Sequence, residues 1–121
     1  MLMDILKKPF KKNISEIPIE QAHQGSGSRQ LILSSTDIIS KNIEAMTKGY
    51  LEPGGVFDWH QHDNIDEFFI VLNGAGIVKY ADGTELTYVA NEVIYNPANL
   101  SHRIENTDSK VNEFFFIRVS V

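Results

Sequence analysis

The feature that most constrains the fold of this chain is a series of short apolar runs separated by turn-forming residues. In chain order the runs are "LILSS", "NIEAMTKGYL", "VFDWHQH", "EFFIVL", "GIVKYADGTELTYV", "EVIYNP", "SHRIENT" and "EFFFIRVSV". Runs of this length and composition are typical of β-strands, and nothing predicts a long helix. The dipeptides Asn73-Gly74 and Asp82-Gly83 predict tight hairpins. Many short strands at this spacing predict an all-β sandwich or barrel.

The length and composition bound the class of protein. A chain of 121 residues is long enough to bury a core without disulfides, and it has no cysteine for a disulfide, a thiolate nucleophile or a thiolate metal ligand. A hydrophobic content of 42% and a charged content of 22% are ordinary for a soluble globular protein. The net charge of −5 argues against a general nucleic-acid or anionic-membrane surface. We therefore expect neither nucleic acid nor membrane as a partner.

Residues 1–121 are expected to form a single domain with an N-terminal arm. The stretch "HQGSGSRQ", residues 23–30, is typical of a linker because its glycines interrupt regular structure. Before it, Pro18 in "NISEIPIE" suits an edge strand or an extended arm. We expect an arm over residues 1–24 and a β-barrel over residues 29–121.

The N-terminal stretch "MLMDILKKPFKK" is interrupted by charges, so it does not read as a signal peptide. No other stretch is long and apolar enough to predict a membrane span. We therefore expect a cytoplasmic location.

The stretch "HQHDNIDE" places ligating side chains directly before the apolar run "FFIVL". Residues two apart on a strand project to the same face, so His60 and His62 should point together. Their Cα atoms would lie about 6.6 Å apart, from a rise of about 3.3 Å per residue. Two imidazoles can converge from there on one metal ion. Glu67 can offer a carboxylate oxygen to the same ion, and His102 recurs after a proline-containing turn.

The segment "GGVFDWHQHDNIDEFFIVLNG" resembles the first motif of the cupin superfamily. That motif is a glycine, five residues, His-x-His, three or four residues, Glu, six residues and a glycine. Here its positions are Gly54, His60, His62, Glu67 and Gly74, and no gap is needed.

The later segment "NEVIYNPANLSHRIEN" is similar to the second cupin motif through Pro97, His102 and Asn106. It departs from the motif twice, with Asn91 and Asn99 where the family usually has glycine. Asparagine is the residue other than glycine that best tolerates left-handed backbone. We therefore expect both turns to survive, and neither departure affects a metal ligand.

The resemblance is to small single-domain cupins, of the cupin 2 or mannose-6-phosphate isomerase-like type. It implies an antiparallel β-barrel of jelly-roll type, a double-stranded β-helix, with one metal ion held inside by His60, His62, Glu67 and His102. Three imidazoles and a carboxylate suit a divalent transition metal better than magnesium or calcium. They do not select among Fe, Mn, Ni, Zn, Co and Cu. Four ligands around an octahedral ion leave two positions for water, dioxygen or substrate, which is typical of catalytic sites.

Three classes of function fit this site. The resemblance implies an enzyme acting on a small organic substrate, dioxygenase- or isomerase-like. A non-catalytic cupin that binds or senses a small molecule is the alternative, and a metal-stabilised structural partner with a closed cavity is the third. The complete ligand set, with no obvious plug, favours an enzyme. The sequence shows no separate general base, so its catalytic residues are not assigned.

Other polar residues near the motifs have weaker assignments. Asp58 shares the parity of His60 and is a candidate cavity residue, whereas Asp63 and Asp66 are expected to make turn hydrogen bonds. Arg29 and Arg103 are candidate anion-binding groups, against the ordinary alternative of surface arginines.

Assembly is suggested by two apolar features. The run "EFFIVL" is apolar at both parities, so both faces of this strand should be covered, the outer one by another layer or another subunit. The arm carries apolar residues among charges, namely Leu2, Ile5, Leu6, Phe10, Ile14, Ile17 and Ile19. Such an arm can add to a sheet edge of its own chain or of a partner. We expect a homodimer, with an arm folded on its own barrel as the alternative.

Overall fold

The structure, a computed structural model, describes residues 7–22 and 25–121. A short 3₁₀ turn, Ile14–Glu16, precedes ten strands. The strands are β1 (Glu20–Gln21), β2 (Ser28–Leu33), β3 (Ile43–Leu51), β4 (Val56–His60), β5 (Ile65–Asn73), β6 (Ala75–Tyr80), β7 (Glu85–Val89), β8 (Val93–Asn96), β9 (His102–Asn106) and β10 (Asn112–Ser120). The predicted all-β class is confirmed. Within the residues described, no helix has the length and apolar character to cross a membrane.

The strands form two antiparallel sheets. One sheet has six strands in the order β1-β2-β3-β10-β5-β8, and the other has four in the order β4-β9-β6-β7. Strands that are neighbours in space are often distant in sequence, as expected for a jelly roll. The jelly-roll prediction is confirmed, but the hydrogen bonds form two separate sheets and do not close into a barrel.

The core lies between the two sheets and is largely aromatic. Strand β5 alternates, so Glu67, Phe69 and Val71 point inward while their neighbours point out. Phe69 is fully buried, and its ring packs at a centroid distance of 5.5 Å from Phe114 and 5.3 Å from Phe116. Burial of such a side chain contributes about 1.5–3 kcal/mol. This core makes a rigid wall for the cavity described below.

The two predicted hairpins have different outcomes. Asp82-Gly83 does connect the paired strands β6 and β7. Asn73-Gly74 instead joins β5 of one sheet to β6 of the other, so the hairpin prediction there was wrong. The reason is a tight corner, in which Gly74 has a φ of +89° and a Cβ at this position would lie 2.1 Å from Nδ2 of Asn112. The local signal for a turn was correct, but the partner of each strand is decided by distant residues.

The described part of the N-terminal arm packs on its own chain. The side chain of Gln30 on β2 donates hydrogen bonds of 2.9 Å to the carbonyls of Ile14 and Ile17. Lys12 donates to the carbonyl of Ile32 at 2.7 Å, and β1 pairs with β2. Of the apolar arm residues, Leu2, Ile5 and Leu6 lie outside the described residues.

The outer face of β5 is not covered by any described part of the chain. Phe68, Ile70 and Leu72 point away from the core and are 37–42% exposed. Of the two expected covers, another layer of the described chain is therefore not found, and a second subunit stays a prediction. The apolar outer face extends to the edge strand β8, where Val93 and Tyr95 are also exposed.

Candidate metal centre

The four predicted ligands come together between the sheets at one end of the molecule. His60 ends β4 and pairs in register with His102, which begins β9 of the same sheet. Glu67 lies on β5 of the opposite sheet, and His62 lies in the loop that follows β4. The prediction that His60 and His62 share a strand was wrong, because β4 ends at His60 and His62 lies two residues beyond it. Their rings still converge, with centroids 4.9 Å apart.

The geometry of this cluster fits one metal ion. Each of the four side chains offers one ligand atom, and these atoms lie within 4.8 Å of one another. Nε2 of His102 lies 3.2 Å from Oε1 of Glu67, and Nε2 of His62 lies 3.4 Å from Oε2. An ion with ligand distances of about 2.0–2.2 Å would fit among atoms so spaced.

The chemistry of the donor atoms also fits a metal. Nε2 of His62 and both ring nitrogens of His102 are buried and have no hydrogen-bond partner among the described residues. A buried polar atom left without a partner costs about 1–3 kcal/mol. Nδ1 of His60 lies 2.7 Å from the carbonyl of Asp58 and donates a hydrogen bond to it, which leaves Nε2 with a free lone pair in the neutral ring. One nitrogen of each imidazole can therefore offer a lone pair to the cluster.

The charge state of the cluster suits a cation. Burial alone would raise the pKa of Glu67, but the adjacent His102 and His62 side chains outweigh it and lower that pKa below its usual range. Burial lowers the pKa of His60, which favours the neutral imidazole that a metal needs. A carboxylate with neutral imidazoles is the form in which these side chains act as metal ligands.

Two residues that the sequence analysis missed hold Glu67 in place. Nδ2 of Asn96 donates to Oε1 of Glu67 at 3.1 Å, and the Tyr80 hydroxyl donates to Oδ1 of Asn96 at 2.5 Å. Burial raises the pKa of Tyr80 to about 12, so its hydroxyl keeps the proton that it donates. The sequence signal that could have identified Asn96 is its place at the end of the apolar run in "EVIYNP", because a polar side chain that is buried there must have a hydrogen-bond partner.

The asparagines that replace motif glycines behave as predicted. Asn91 and Asn99 have φ values of 72° and 67°, in the left-handed region. Asn99 does more than form a turn, because its side-chain oxygen accepts a hydrogen bond of 2.9 Å from the backbone N–H of Asn64. Its own N–H donates to the carbonyl of His62 at 3.1 Å. Asn99 thus joins the loop of His62 to the loop that precedes His102.

Asp58 does not line the cavity, and the prediction from its parity was wrong. Phe57 pairs with Ile104 and His60 with His102, so β4 has one residue more than β9 over this interval. Such a β-bulge reverses the side-chain alternation. Asp58 therefore points outward. Asp63 accepts a local hydrogen bond from Gln61, as expected. The prediction of a turn hydrogen bond was wrong for Asp66, which lies on β5 and accepts hydrogen bonds from the N–H of Ala98 and the hydroxyl of Tyr95, both distant in sequence.

A cavity of about 390 Å³ adjoins the cluster. His60, His62 and Glu67 form part of its wall, and His102 lies buried behind them. Of the two candidate anion-binding arginines, Arg29 lines the cavity. Arg103 lies outside it and pairs with Asp58 and Glu105.

Comparison with known proteins agrees with the motifs. The family model described as the cupin domain matches residues 49–118, more than half of the chain. The chain is also 34% identical over 58 residues to YdbB of Bacillus subtilis (strain 168), an uncharacterized protein. That match covers 48% of this chain and 51% of YdbB, so the chain spans about half the length of this curated relative.

Solved structures share the fold at low sequence identity. A predicted oxalate decarboxylase from Thermotoga maritima superposes with a TM-score of 0.83 at 23% identity, covering 93% of this chain and 100% of that chain. The polyketide cyclase RemF from Streptomyces resistomycificus superposes with a TM-score of 0.78 at 15% identity, covering 93% of this chain and 80% of RemF. The two motifs, the family match and the shared double-stranded β-helix show that this chain belongs to the cupin family.

Proposed function

We propose that this cupin holds one divalent transition metal ion through His60, His62, Glu67 and His102, and that it is a metal-dependent enzyme for a small organic substrate, dioxygenase- or isomerase-like. The observation that carries the proposal is the set of buried imidazole nitrogens without hydrogen-bond partners that surround a buried carboxylate. A cavity large enough for a small ligand opens onto them. Two structural neighbours carry enzyme names, but at 23% and 15% identity the likeness concerns the fold, so the proposal depends on the site.

The residues of the chain have separable roles in this proposal. A metal in this site would supply a Lewis acid that polarises a carbonyl or enol oxygen. Asn96 and Tyr80 fix the carboxylate of Glu67, as metal-site neighbours commonly do. Phe57 and Phe116 belong to the core and also line the cavity, so they would exclude water from one side of a bound substrate.

A non-catalytic binding module is the second candidate, and one observation favours it. Apart from the proposed ligands, the titratable side chains that line the cavity are Arg29, Glu44 and Arg118. The carboxylate of Glu44 is paired with Arg118, so the part of the cavity wall formed by residues 7–22 and 25–121 has no free general base apart from the proposed ligands. An enzyme of this kind would depend on the metal for proton chemistry, whereas a sensor would need none.

The ligand assignment predicts a sharp loss of metal affinity on substitution. His62→Ala should weaken cobalt(II) binding at least about 100-fold, because a direct ligand matters more than its neighbours, whose loss costs roughly 10–100-fold. Gln61→Ala is the matched control, since Gln61 lies between two ligands but bonds to Asp63. Titration followed by the visible absorption of cobalt(II) measures both. Full affinity in the His62→Ala protein would place the metal elsewhere.

Metal occupancy should also depend on pH. Imidazoles must be neutral to bind, so protons compete as the pH falls through the ordinary histidine pKa of about 6.5. Because the pKa of Glu67 is lowered, its carboxylate stays ionised over this range and the histidines control the loss. Equilibrium dialysis against zinc from pH 8 to pH 5 should show full occupancy at the upper end and a steep decline below about pH 6.5. An unchanged affinity at pH 5 would contradict ligation by histidine.

Catalysis is tested by oxygen uptake. Iron(II)-loaded protein should consume oxygen in the presence of a diol such as catechol or a keto-enol such as acetylacetone. The same iron added to the His62→Ala protein is the control, because it measures oxidation by loosely held iron. Uptake that is equal in both proteins, with neither compound converted, would favour the non-catalytic binding module.

We also propose a homodimer, and the cytoplasmic location stays a prediction. The support for the dimer is the apolar face of β5 and β8, formed by Phe68, Ile70, Leu72, Val93 and Tyr95. Phe68 pairs with Tyr95 and Ile70 with Val93, so these side chains share one face at the edge of the six-stranded sheet. The carboxylate of Asp66 at the end of this face accepts a hydrogen bond from Tyr95. The rest of the patch is apolar and therefore complementary to a copy of itself, as a two-fold interface requires.

Light scattering coupled to size exclusion should give about twice the chain mass of 13.7 kDa. Ile70→Lys should convert this species to the monomer, because a lysine ammonium would be buried without a partner in the interface. Ile38→Lys is the control, since Ile38 is 52% exposed but lies in the loop between β2 and β3. A native mass of one chain at micromolar concentration would contradict the dimer.

A further inference from the structure

An arginine that the sequence analysis did not single out lies beside the proposed metal centre. Arg118 on β10 is the register partner of Glu67 on β5. Side chains paired in this way project to the same face, with Cβ atoms about 4.5–5.5 Å apart. Arg118 lines the same cavity as His60 and His62, and its side chain is 18% exposed. The guanidinium group is therefore part of the cavity wall near the carboxylate ligand.

Most of the hydrogen-bonding capacity of Arg118 is unused. Nε donates to Oε2 of Glu44 at 2.6 Å. In the described part of the chain, its terminal Nη atoms donate no hydrogen bond, although a guanidinium has five N–H donors. Glu44 is placed by a bulge in β3, since Arg118 pairs with Ala45 and Val119 with Ile43, which leaves Glu44 unpaired. The ion pair fixes one edge of the guanidinium and leaves the other edge free for a ligand.

The net charge of the cavity wall becomes positive when the metal binds. Arg29 and Arg118 are cationic, Glu44 and Glu67 are anionic, and the histidines are neutral as ligands. The charges of these four lining residues cancel, and Glu20 outside the wall pairs with Arg29. A divalent ion would therefore still leave the cavity positive and attractive to an anion. Much of the remaining wall is apolar, formed by Ala22, Gly49, Phe57, Ile104 and Phe116.

We propose that the cavity selects a small organic carboxylate with an apolar body, and that the free N–H groups of Arg118 bind its carboxylate beside the metal. This proposal rests on the proposed metal centre and names the substrate class for it. Arginine suits the role because its planar group can donate two parallel hydrogen bonds to one carboxylate. The cavity volume of 390 Å³ lies within the range of roughly 300–1,000 Å³ that is usual for small-ligand sites.

The test uses benzoate as the probe and benzamide as its neutral match in shape. Calorimetric titration of the cobalt(II)-loaded protein should show benzoate binding at least about tenfold more tightly than benzamide, as expected when a charged group is recognised by a cation. Arg118→Gln should remove most of this preference. Arg118→Lys should restore part of it, because lysine supplies charge without the planar pair of donors. Equal affinities for benzoate and benzamide would overturn the proposal. So would the absence of benzoate binding at about 10 mM, a concentration at which even weak, millimolar binding is detected.

A second variant separates ligand recognition from a structural role of the ion pair. Glu44→Gln breaks the same ion pair as Arg118→Gln but keeps the guanidinium and removes a competing carboxylate. We expect benzoate affinity in Glu44→Gln to be retained or increased. If Glu44→Gln loses as much affinity as Arg118→Gln, the ion pair supports the fold and the carboxylate site is wrong.

The same samples distinguish this proposal from the metal centre itself. Arg118→Gln should still bind cobalt(II) and develop its absorption, because the recorded partner of Arg118 is Glu44 and not a proposed ligand. A native protein that never develops the cobalt(II) spectrum would contradict the metal centre. A normal cobalt(II) spectrum without carboxylate preference would contradict only the role given to Arg118.

Discussion

The burial of one carboxylate among three imidazoles between two sheets is the constraint on which the rest of this structure depends. Glu67 is 3% exposed and His102 is 1% exposed, so neither can rely on water for solvation. An ionised carboxylate in such a place costs several kcal/mol unless it is paired. The hydrogen bond from Asn96 to Glu67 offsets part of this cost. Three imidazole nitrogens of His62 and His102 have no hydrogen-bond partner among the described residues. A divalent metal ion would satisfy the carboxylate and one ring nitrogen of each imidazole at once.

The scaffold is organised so that this site is held rigidly. The ligands come from both sheets, with Glu67 on one and His60 and His102 on the other, so their spacing depends on how the sheets pack. The aromatic core sets that packing, and its members Phe57 and Phe116, whose ring centroids are 5.6 Å apart, also line the cavity. The same side chains therefore stabilise the fold and shape the space beside the metal centre. Sites built on packed strands in this way hold their ligands with little freedom.

The sequence could predict the strands and the four side chains of the cluster because both are local or fixed by motif spacing. The apolar runs carry the β signal, and the left-handed turns at Asn91 and Asn99 follow from a property of asparagine. What it could not predict depends on register between distant strands. The bulge in β4 turned Asp58 away from the cavity, and the pairing of β10 with β5 placed Arg118 next to Glu67. No local pattern contains that information.

We propose that His60, His62, Glu67 and His102 together hold one metal ion. X-ray absorption at the zinc edge, on zinc-loaded protein, counts the ligand atoms of the ion and identifies imidazole by its outer-shell scattering. We expect three imidazole nitrogens at about 2.0–2.1 Å and at least one oxygen at about 2.0–2.2 Å. A spectrum with only oxygen ligands, or with a single imidazole, would contradict it.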